Sequence, residues 1–383
     1  AVDFRIVNAD YLLTGTGLMH DPAVRGPFDL VVMNPPYGKL AAADTSRLAV
    51  AAEHVDAPNL YAAFWALGVA SLAPGGQCVA IVPRSWANGT YFEPFRRWLL
   101  EHLALDRLHT FESRSTVFAD TGVLQENVIV SGTLAERQNA VVALSTSVGH
   151  EDAATRTTVP LSVVLPAGDP HRFVRFSADT VAMPPTAACR LSDLGITVST
   201  GRVVDFRSRP YLVQRADTPD AAPLIYPGNV RDGRVQWPRP IGKPQGFLVA
   251  AEEARRLLVP AGTYTVVKRF SAKEERRRIV AGVWDGPTAV AIENHLNYFH
   301  EAGHGLEPAL ARGLSAWLNT TVVDQLFRTF SGHTQVNAGD LRTLPYPNRE
   351  DLAAMGRAVG PDLPTQDRLD TLMNTILARE AAA

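Results

Sequence analysis

Asn34, Pro35 and Tyr37 are the residues of this sequence whose types and order could do chemistry. The Asn34 side chain supplies a carbonyl oxygen, and the Pro35 carbonyl, on a turn, has no helix or sheet partner to join. Tyr37 adds a flat aromatic face that can stack on a planar ring. Two acceptors beside an aromatic ring suit an amino group carried by a flat heterocycle. The alternative is a plain turn, which proline-rich tripeptides often form.

The stretch before Asn34 predicts the element that positions these groups. Residues 30–33 (Leu-Val-Val-Met) have the apolar character of a short, buried, parallel strand. The two prolines must end that strand, because each fixes its own φ and lacks an N–H. The polar groups therefore lie at the carboxyl end of a strand, which is where ligands bind in open α/β sheets.

Residues 29–37, Asp-Leu-Val-Val-Met-Asn-Pro-Pro-Tyr, resemble the catalytic motif of the amino-group methyltransferases that use S-adenosyl-L-methionine, in its adenine-N6 form. The resemblance implies an α/β fold, with a partial doubly wound (Rossmann-like) methyltransferase sheet followed by an α+β target-recognition domain. It also implies S-adenosyl-L-methionine as the cofactor and double-stranded DNA as the substrate. The target adenine would leave the duplex, because its N6 atom cannot be reached inside a stacked helix.

The family motif implies roles for individual residues. Asn34 and Pro35 would accept the two N6 hydrogens, Asn34 would also lie beside the cofactor, and Tyr37 would stack on the adenine. Asp10 matches the acidic residue that binds the cofactor adenine, although an ordinary strand-ending turn residue is the alternative. Phe118 matches an aromatic residue that contacts the base from the other face, and a buried core phenylalanine is equally compatible.

The family's glycine-rich cofactor loop has no counterpart in this sequence. No Gly-x-Gly pattern follows a strand and precedes a helix, and residues 5–8 resemble the family's third strand instead. We therefore expect either a fragment or a separate polypeptide that supplies the first strands. Without them the sheet would have a gap with unpaired backbone groups. This chain alone is predicted not to be a complete enzyme.

The residues that follow fit the order of elements in the same family. Apolar spacing predicts a helix over residues 59–72 with Asn59 as its cap, then a strand over residues 77–83. A second helix is predicted over residues 92–102. Two strands, residues 105–111 and 123–130, are predicted to form the hairpin that closes the sheet.

Composition indicates a globular protein with room for two cores. The chain has 383 residues, of which 46% are hydrophobic and 20% charged. No apolar run approaches the roughly 20 residues that span a bilayer. Two cysteines make neither a disulfide framework nor a metal cluster, so we expect a cytoplasmic protein. The spacing of histidines and acids indicates no metal site.

Charge is distributed unevenly along the chain. Residues 201–280, here called the basic zone, hold 16 basic and 8 acidic residues, although the whole chain has a net charge of −2. Such asymmetry indicates an anionic partner. Solvated helix faces are the alternative. The candidate DNA-binding residues are Arg202, Arg207, Arg209, Arg231, Arg234, Lys268, Arg269 and, beyond the zone, His333.

The sequence predicts four segments. Residues 1–140 form the carboxyl-terminal portion of the methyltransferase catalytic domain, and residues 141–189 form a connecting region. Residues 190–349 form the DNA-binding domain, of which residues 330–345 resemble the closing segment in restriction–modification methyltransferases. Residues 350–383 form a helical tail. The resemblance also implies a cognate restriction endonuclease as a partner.

Other functions are compatible with parts of the pattern. A non-catalytic DNA-binding or specificity subunit is favoured if the cofactor half is absent. The same tetrapeptide type also occurs in methyltransferases that act on glutamine side chains of proteins, but those lack a large basic carboxyl-terminal domain. An RNA methyltransferase is the remaining alternative.

Overall fold

The computed structural model describes residues 4–17, 20–111, 126–271, 276–331 and 335–380. The chain divides into two compact units, Ala1–Thr180 (unit 1) and Val181–Ala383 (unit 2). Both contain helices and strands, so the mixed α/β class predicted from the sequence is confirmed. Among the described helices, none is long and apolar enough to cross a membrane.

Unit 1 is built on one six-stranded mixed sheet with the order β1-β2-β4-β3-β5-β6. Strands β1, β2, β3 and β5 run parallel, whereas β4 and β6 run antiparallel to their neighbours. The predicted hairpin of β3 and β4 is present, but it does not close the sheet, because β5 and β6 continue the sheet beyond β3. The strands are Phe28–Met33 (β1), Leu72–Pro83 (β2), Leu103–Phe111 (β3), Asn127–Leu134 (β4), Val141–Ser147 (β5) and Thr155–Pro160 (β6).

Two helices of unit 1 connect its parallel strands. Helix α4 leads from β1 to β2 and is capped by Asn59, whose Oδ1 accepts a hydrogen bond from Ala62 N at 3.0 Å, as predicted. A Cβ added at Gly68 would lie 2.3 Å from Met33 Cε, so this glycine lets α4 pack directly on β1. The helices are Tyr11–Thr14 (α1), Pro22–Arg25 (α2), Thr45–Ala51 (α3), Leu60–Ala70 (α4), Glu93–His102 (α5) and Leu161–Val164 (α6), with 3-10 turns at Arg84–Ala87 and Thr90–Phe92.

Two stretches of unit 1 differ from the predicted elements. Residues 5–8 form no strand, and residues 4–10 are exposed, because no described strand offers them a partner. The segment predicted as a connecting region supplies β5 and β6, and β5 pairs in parallel with β3. Its apolar residues Val142 and Leu144 are buried, which is why the segment joins the sheet.

Unit 2 contains two further sheets. A six-stranded sheet has the order β10-β11-β15-β14-β17-β7, and a five-stranded sheet has the order β13-β16-β9-β12-β8. The strands are Thr197–Thr200 (β7), Leu212–Val213 (β8), Ala221–Ile225 (β9), Val230–Arg231 (β10), Arg234–Val235 (β11), Gly246–Leu248 (β12), Leu258–Val259 (β13), Gly262–Lys268 (β14), Ala281–Gly286 (β15), Val290–Ile292 (β16) and Leu296–His300 (β17).

Helices cover the larger sheet of unit 2. Residues 308–330 form two helices and not one, because Asn319 bonds to the Ala281 carbonyl and Thr320 caps the second helix. The predicted helical tail also contains two helices. The helices are Glu252–Arg256 (α7), Pro308–Leu318 (α8), Thr321–Phe330 (α9), Ala338–Thr343 (α10), Arg349–Val359 (α11) and Gln366–Glu380 (α12), with 3-10 turns at Arg209–Tyr211 and Pro227–Asn229.

Candidate active site

The Asn34 corner lies where the sequence predicted it, directly after the last residue of β1. Met33 pairs with Ala80 of β2, so the chain leaves the sheet at its carboxyl edge. Two contacts then hold the chain against the start of α4: the Gly38 carbonyl accepts from Leu60 N at 2.8 Å, and Lys39 forms a bridge with Asn59. The corner is thus fixed at both ends by the sheet and by a capped helix.

The two predicted acceptors of the corner remain available. Asn34 is exposed and Pro35 is buried. Among the described residues, none donates a hydrogen bond to the Asn34 side chain or to the Pro35 carbonyl. A fixed turn with two unused carbonyl oxygens can bind a donor group that carries two hydrogens.

Tyr37 is less exposed than an aromatic ring that is fully open for stacking. Its hydroxyl oxygen is buried without a hydrogen-bond partner in the described part of the chain, so the partial exposure of Tyr37 comes from other atoms. Burial raises the pKa of this phenol. The ring meets Tyr61 edge-on, with centroids 6.2 Å apart and planes at 83°. The hydroxyl edge therefore packs against the protein, and Tyr37 as a whole is only partly exposed beside the core of unit 1.

The groups behind Tyr37 were not identified from the sequence. Tyr61 stacks on Phe92 with centroids 5.5 Å apart, and its hydroxyl bonds to Ser85 Oγ at 3.0 Å. Ser85 follows the carboxyl end of β2, beside that of β1. The sequence predicts the helix that contains Tyr61 and its cap Asn59, but the contact between Tyr61 and Tyr37 depends on how α4 packs.

A buried ion pair braces the same edge of the sheet. Arg84 Nη1 lies 2.9 Å from Glu126 Oε1, and the two side chains are 9% and 4% exposed. The Arg84 backbone N–H also donates to the Glu126 carbonyl at 2.7 Å. Removing one member would leave a buried charge, which typically costs about 3–5 kcal/mol. The pair therefore fixes the chain where β2 ends and β4 begins.

A cleft of about 550 Å³ opens in front of the corner. Its volume lies in the range of small-molecule sites, roughly 300–1,000 Å³. Most of its lining residues are apolar. Tyr11 packs on Phe64 at 5.1 Å, and burial raises the pKa of Tyr11 to about 12. The lining residues are Arg5, Val7, Ala9, Tyr11, Ala23, Val24, residues 28 and 30–36, and Phe64.

The cleft runs along a free strand edge. Among the described strands, only β2 pairs with β1. The side chains of Leu30 and Val32 are 55% and 69% exposed, unusual values for apolar residues of a parallel strand. β1 is therefore an edge strand among the described strands, and the cleft borders its unpaired side.

Two further predicted site residues have different outcomes. Asp10 is the amino-terminal cap of α1, and its Oδ1 accepts from Leu13 N at 3.0 Å. Its chain neighbours Ala9 and Tyr11 line the cleft, whereas Asp10 itself is not among the lining residues. Phe118 lies outside the described residues, as does His333. Their assigned roles remain predictions.

In unit 2 the structure brings together part of the predicted DNA-binding set. β14 ends at Lys268, which pairs with Leu296 at the start of β17, and Arg269 N donates to the His295 carbonyl. β7 ends beside the same residues, because Gly201 N donates to the Leu296 carbonyl. Arg202, Lys268 and Arg269 therefore lie at the same edge of the sheet, and the chain after β7 continues to Arg207 and Arg209.

The other predicted residues lie elsewhere or are already engaged. Arg231 and Arg234 belong to β10 and β11, at the opposite side of the six-stranded sheet. Arg231 pairs with Asp232, and Arg234 pairs with Asp362. At the first edge, Arg202 donates to the backbone carbonyls of Arg256 and Leu258. The basic zone is therefore not one continuous cationic surface.

No metal centre is found in the described ranges, where no group of three or more His, Cys, Asp or Glu side chains is placed to hold an ion. The chemistry available at the corner is recognition of a hydrogen-bond donor beside an aromatic ring, next to a cleft of ligand size.

Comparison with known proteins places this geometry in context. A family model described as "Eco57I restriction-modification methylase" matches residues 7–118. The chain is 37% identical over 383 residues to Type II methyltransferase M.PstI of Providencia stuartii, with 97% of this chain and 75% of that protein covered. It is 38% identical over 344 residues to Type II methyltransferase M.BsuBI of Bacillus subtilis, with 87% of this chain and 68% of that protein covered.

Among solved structures, the chain is similar to the Type IIL restriction-modification enzyme MmeI in complex with DNA. The TM-score is 0.58 and the sequence identity is 13%, with 92% of this chain and 54% of that chain covered. At this identity the likeness concerns the fold alone. The chain spans about half the length of that enzyme.

Proposed function

The chain belongs to the restriction–modification methyltransferase family, and from that premise we propose that it transfers a methyl group from S-adenosyl-L-methionine to N6 of an adenine in duplex DNA. The observation that carries the proposal is the pair of unused acceptors, Asn34 Oδ1 and the Pro35 carbonyl, on a fixed corner at the rim of a cleft. An adenine amino group has the two hydrogens that this pair would accept.

The corner would act by positioning and electrostatics. Two accepted hydrogen bonds orient the amino group and increase the electron density on nitrogen, which favours its attack on an electrophilic carbon. The turn loses little entropy on binding, because the prolines and the contacts of Gly38 and Lys39 already fix it. No strong base is required for this part of the reaction.

The target adenine would be turned out of the duplex. Unstacking a base costs a few kcal/mol, and stacking on an aromatic side chain returns about 1–3 kcal/mol. Tyr37, which is partly exposed, would supply that contact through its ring. Because the hydroxyl is buried, the ring rather than the hydroxyl is the functional group of this residue.

The cofactor fits the cleft by chemistry and size. When bound, S-adenosyl-L-methionine supplies the methyl group from its sulfonium centre. Apolar walls at Val7, Tyr11 and Phe64 suit its adenine ring, and Asn34 at the rim is within the same cleft. Asp10 remains a candidate for binding the amino group of the cofactor's adenine ring. Its Oδ1 caps α1, so Oδ2 would accept the hydrogen bond from that amino group.

A further strand would complete the cofactor site. The free edge of β1 presents unpaired backbone groups beside exposed Leu30 and Val32. Such an edge is a template for strand addition. We propose that a polypeptide segment carrying the glycine-rich loop pairs with β1, whether it belongs to the same protein or to a separate chain.

Unit 2 would bind the duplex. The basic residues at the edge formed by β7, β14 and β17 offer cations for phosphate contact. A second function, DNA binding without catalysis, would apply to this chain taken alone if the cleft holds the cofactor only after β1 is paired.

The decisive experiment measures transfer of a labelled methyl group from S-adenosyl-L-methionine to unmethylated duplex DNA, followed by nucleoside analysis by mass spectrometry. We expect N6-methyladenine, from this chain alone or after addition of the segment that pairs with β1. Calorimetry of cofactor binding under both conditions separates an enzyme from a DNA-binding subunit. Methylcytosine as the product, or label in protein or RNA but not in DNA, would exclude the proposal.

A further inference from the structure

One edge of the larger sheet in unit 2 has the features of a base-reading surface. We infer that His295, held by buried Glu293 and flanked by Phe270, contacts the edge of a base pair in the recognition sequence and helps to determine it. The inference rests on the proposed function, since it names how unit 2 would recognise the DNA. Neither His295 nor Glu293 was a candidate from the sequence.

Three chain segments converge at this edge, here called the loop edge: residues 201–207, 268–270 and 293–295. The first segment follows β7, the second contains the last residue of β14 and the two residues after it, and the third directly precedes β17. Asn294 N donates to the Val203 carbonyl at 2.8 Å, and Arg269 Nη1 donates to the Asn294 carbonyl at 2.7 Å. The segment containing His295 is thus bonded to its neighbours on both sides, so its position is fixed by the sheet.

The Glu293 carboxylate fixes the imidazole. Its side chain is 2% exposed, and Oε1 lies 2.5 Å from His295 Nδ1. The other oxygen, Oε2, accepts from the His295 backbone N–H at 2.9 Å. Burial raises the pKa of Glu293, and its bonds to His295 oppose that rise. A buried carboxylate that spends both oxygens on one residue is a device for holding that residue still.

The outer nitrogen of His295 is available. The His295 side chain is 51% exposed, and its Nε2 makes no hydrogen bond within the described ranges. With Nδ1 turned to the carboxylate, Nε2 is directed away from it as an acceptor when the ring is neutral and a donor when it is charged. Fixing a half-exposed ring costs side-chain entropy. Among the described residues of unit 2, the ring gains only the Glu293 pair and the Phe270 contact in exchange.

Phe270 adds an apolar surface beside this nitrogen. It is 43% exposed, and its ring centroid lies 4.9 Å from that of His295, with the planes at 56°. A phenylalanine serving only the core would be more deeply buried. The pair therefore presents one hydrogen-bonding atom next to one apolar face. A base pair in the major groove offers the same combination, and thymine adds a methyl group.

The charges around the loop edge suit a polyanion. The guanidinium of Arg207 lies over the ring of Phe206 at 5.3 Å, and Phe206 is 66% exposed. Asp205, a partly buried acid at this edge, is engaged by Lys243 and by the Tyr226 hydroxyl. Cations at the rim can bind phosphates, which set the register of the protein on the duplex, while a fixed central group reads the base.

The test compares DNA sequence selection by the full chain and its variants. Purified protein is incubated with a duplex library randomised at each position, and bound DNA is sequenced. Removing His295 alone would leave Glu293 buried without a partner, so the main variant is the double change Glu293→Gln, His295→Ala. Phe270→Ala, which changes an exposed ring, is the second variant. The matched control is His304→Ala, an exposed histidine beyond the opposite end of β17.

The double variant should lose the preference for one base pair by about 5- to 150-fold while retaining the preferences at the other positions. Phe270→Ala should weaken selection at the same or an adjacent position. His304→Ala should select the same DNA sequence as the wild-type protein and bind it with the same affinity. Thermal unfolding of all variants verifies that unit 2 remains folded.

Other outcomes overturn the inference in distinguishable ways. If the wild-type chain selects a sequence and both folded variants select it equally well, His295 does not read DNA. If the double variant binds every sequence more weakly and its salt slope falls by about one, His295 contacts a phosphate and not a base. A wild-type chain that binds no DNA would overturn the proposed function itself.

Discussion

The Asn34 corner of unit 1 and the basic zone of unit 2 both place polar groups at the ends of strands, but they keep those groups available in different ways. At the corner, two prolines remove backbone donors and prevent a helix, so the acceptors have no local partner. In the basic zone, most cations have found partners within the chain. Local covalent geometry keeps the first site open, whereas only the tertiary structure decides which cations of the second remain usable.

The fate of individual arginines shows the difference. Arg215 and Arg256 pair with acids two and four residues away, and Arg278 is 1% exposed. Arg239 donates to the Gly228 carbonyl. The number of basic residues in the zone therefore overstates the number of cations that the protein can present to DNA. By contrast, the Asn34 side chain and the Pro35 carbonyl accept no hydrogen bond from any described residue.

Asn34→Ala gives the largest expected effect and tests the corner directly. Loss of one of two acceptors should reduce the rate of methyl transfer by about 100- to 1,000-fold, the range for removing one preorganised hydrogen-bonding group. DNA affinity should change less than threefold, because the proposal assigns the phosphate contacts to unit 2. Single-turnover transfer of a labelled methyl group and fluorescence anisotropy measure the two quantities. Equal losses in both would show that the corner serves binding and not catalysis.

Two substitutions of Tyr37 distinguish the role of its ring from that of its hydroxyl. Tyr37→Ala should reduce the methyl-transfer rate by roughly 5- to 150-fold, since base stacking is worth about 1–3 kcal/mol. Tyr37→Phe should remain close to wild type, because the hydroxyl is buried without a described partner. Fluorescence of 2-aminopurine at the target position reports whether the base still leaves the duplex. A large loss in Tyr37→Phe would mean that the hydroxyl moves to contact substrate.

Changes in the basic zone should have smaller and more uniform effects. Arg207→Ala at the loop edge should weaken binding to all duplexes several-fold and reduce the slope of log affinity against log salt by about 0.9. Arg215→Ala is the matched control, because Arg215 is also exposed but is paired with Asp217. Anisotropy titrations from low to high salt measure both slopes. If Arg215→Ala has the same effect, net charge and not position governs binding.

Asn59→Ala should have the smallest effect on methyl transfer. It tests how far the rigidity of the Asn34 corner depends on α4, the helix that Asn59 caps. Loss of the cap hydrogen bond to Ala62 N should destabilise unit 1 by about 1 kcal/mol. Methyl transfer by the folded protein should remain near wild type, since the prolines still form the turn. Chemical denaturation and single-turnover assays provide the comparison. A catalytic loss as large as that of Asn34→Ala would assign the rigidity of the corner to α4.

The sequence predicted elements well where local pattern decides them. The strand before Asn34, the helix capped by Asn59 and the β3–β4 hairpin follow from apolar spacing and cap chemistry, and all three are present. The sequence was less successful where the structure of a segment depends on pairing with a strand that is distant in sequence. Residues 5–8 have strand character, but no described strand pairs with them. Residues 141–160 read as a connection, yet they extend the sheet because β3 offers an edge.

By itself, the sequence determined the Asn34 corner, since nine contiguous residues carry both the strand and the turn that ends it. Only the tertiary structure decided that the Tyr37 hydroxyl is buried, that the free edge of β1 borders a cleft, and that Glu293 holds His295. The physical reason is that bond geometry and backbone preferences act between neighbours in the chain. Burial, ion pairing and strand pairing depend on groups that lie far apart in sequence.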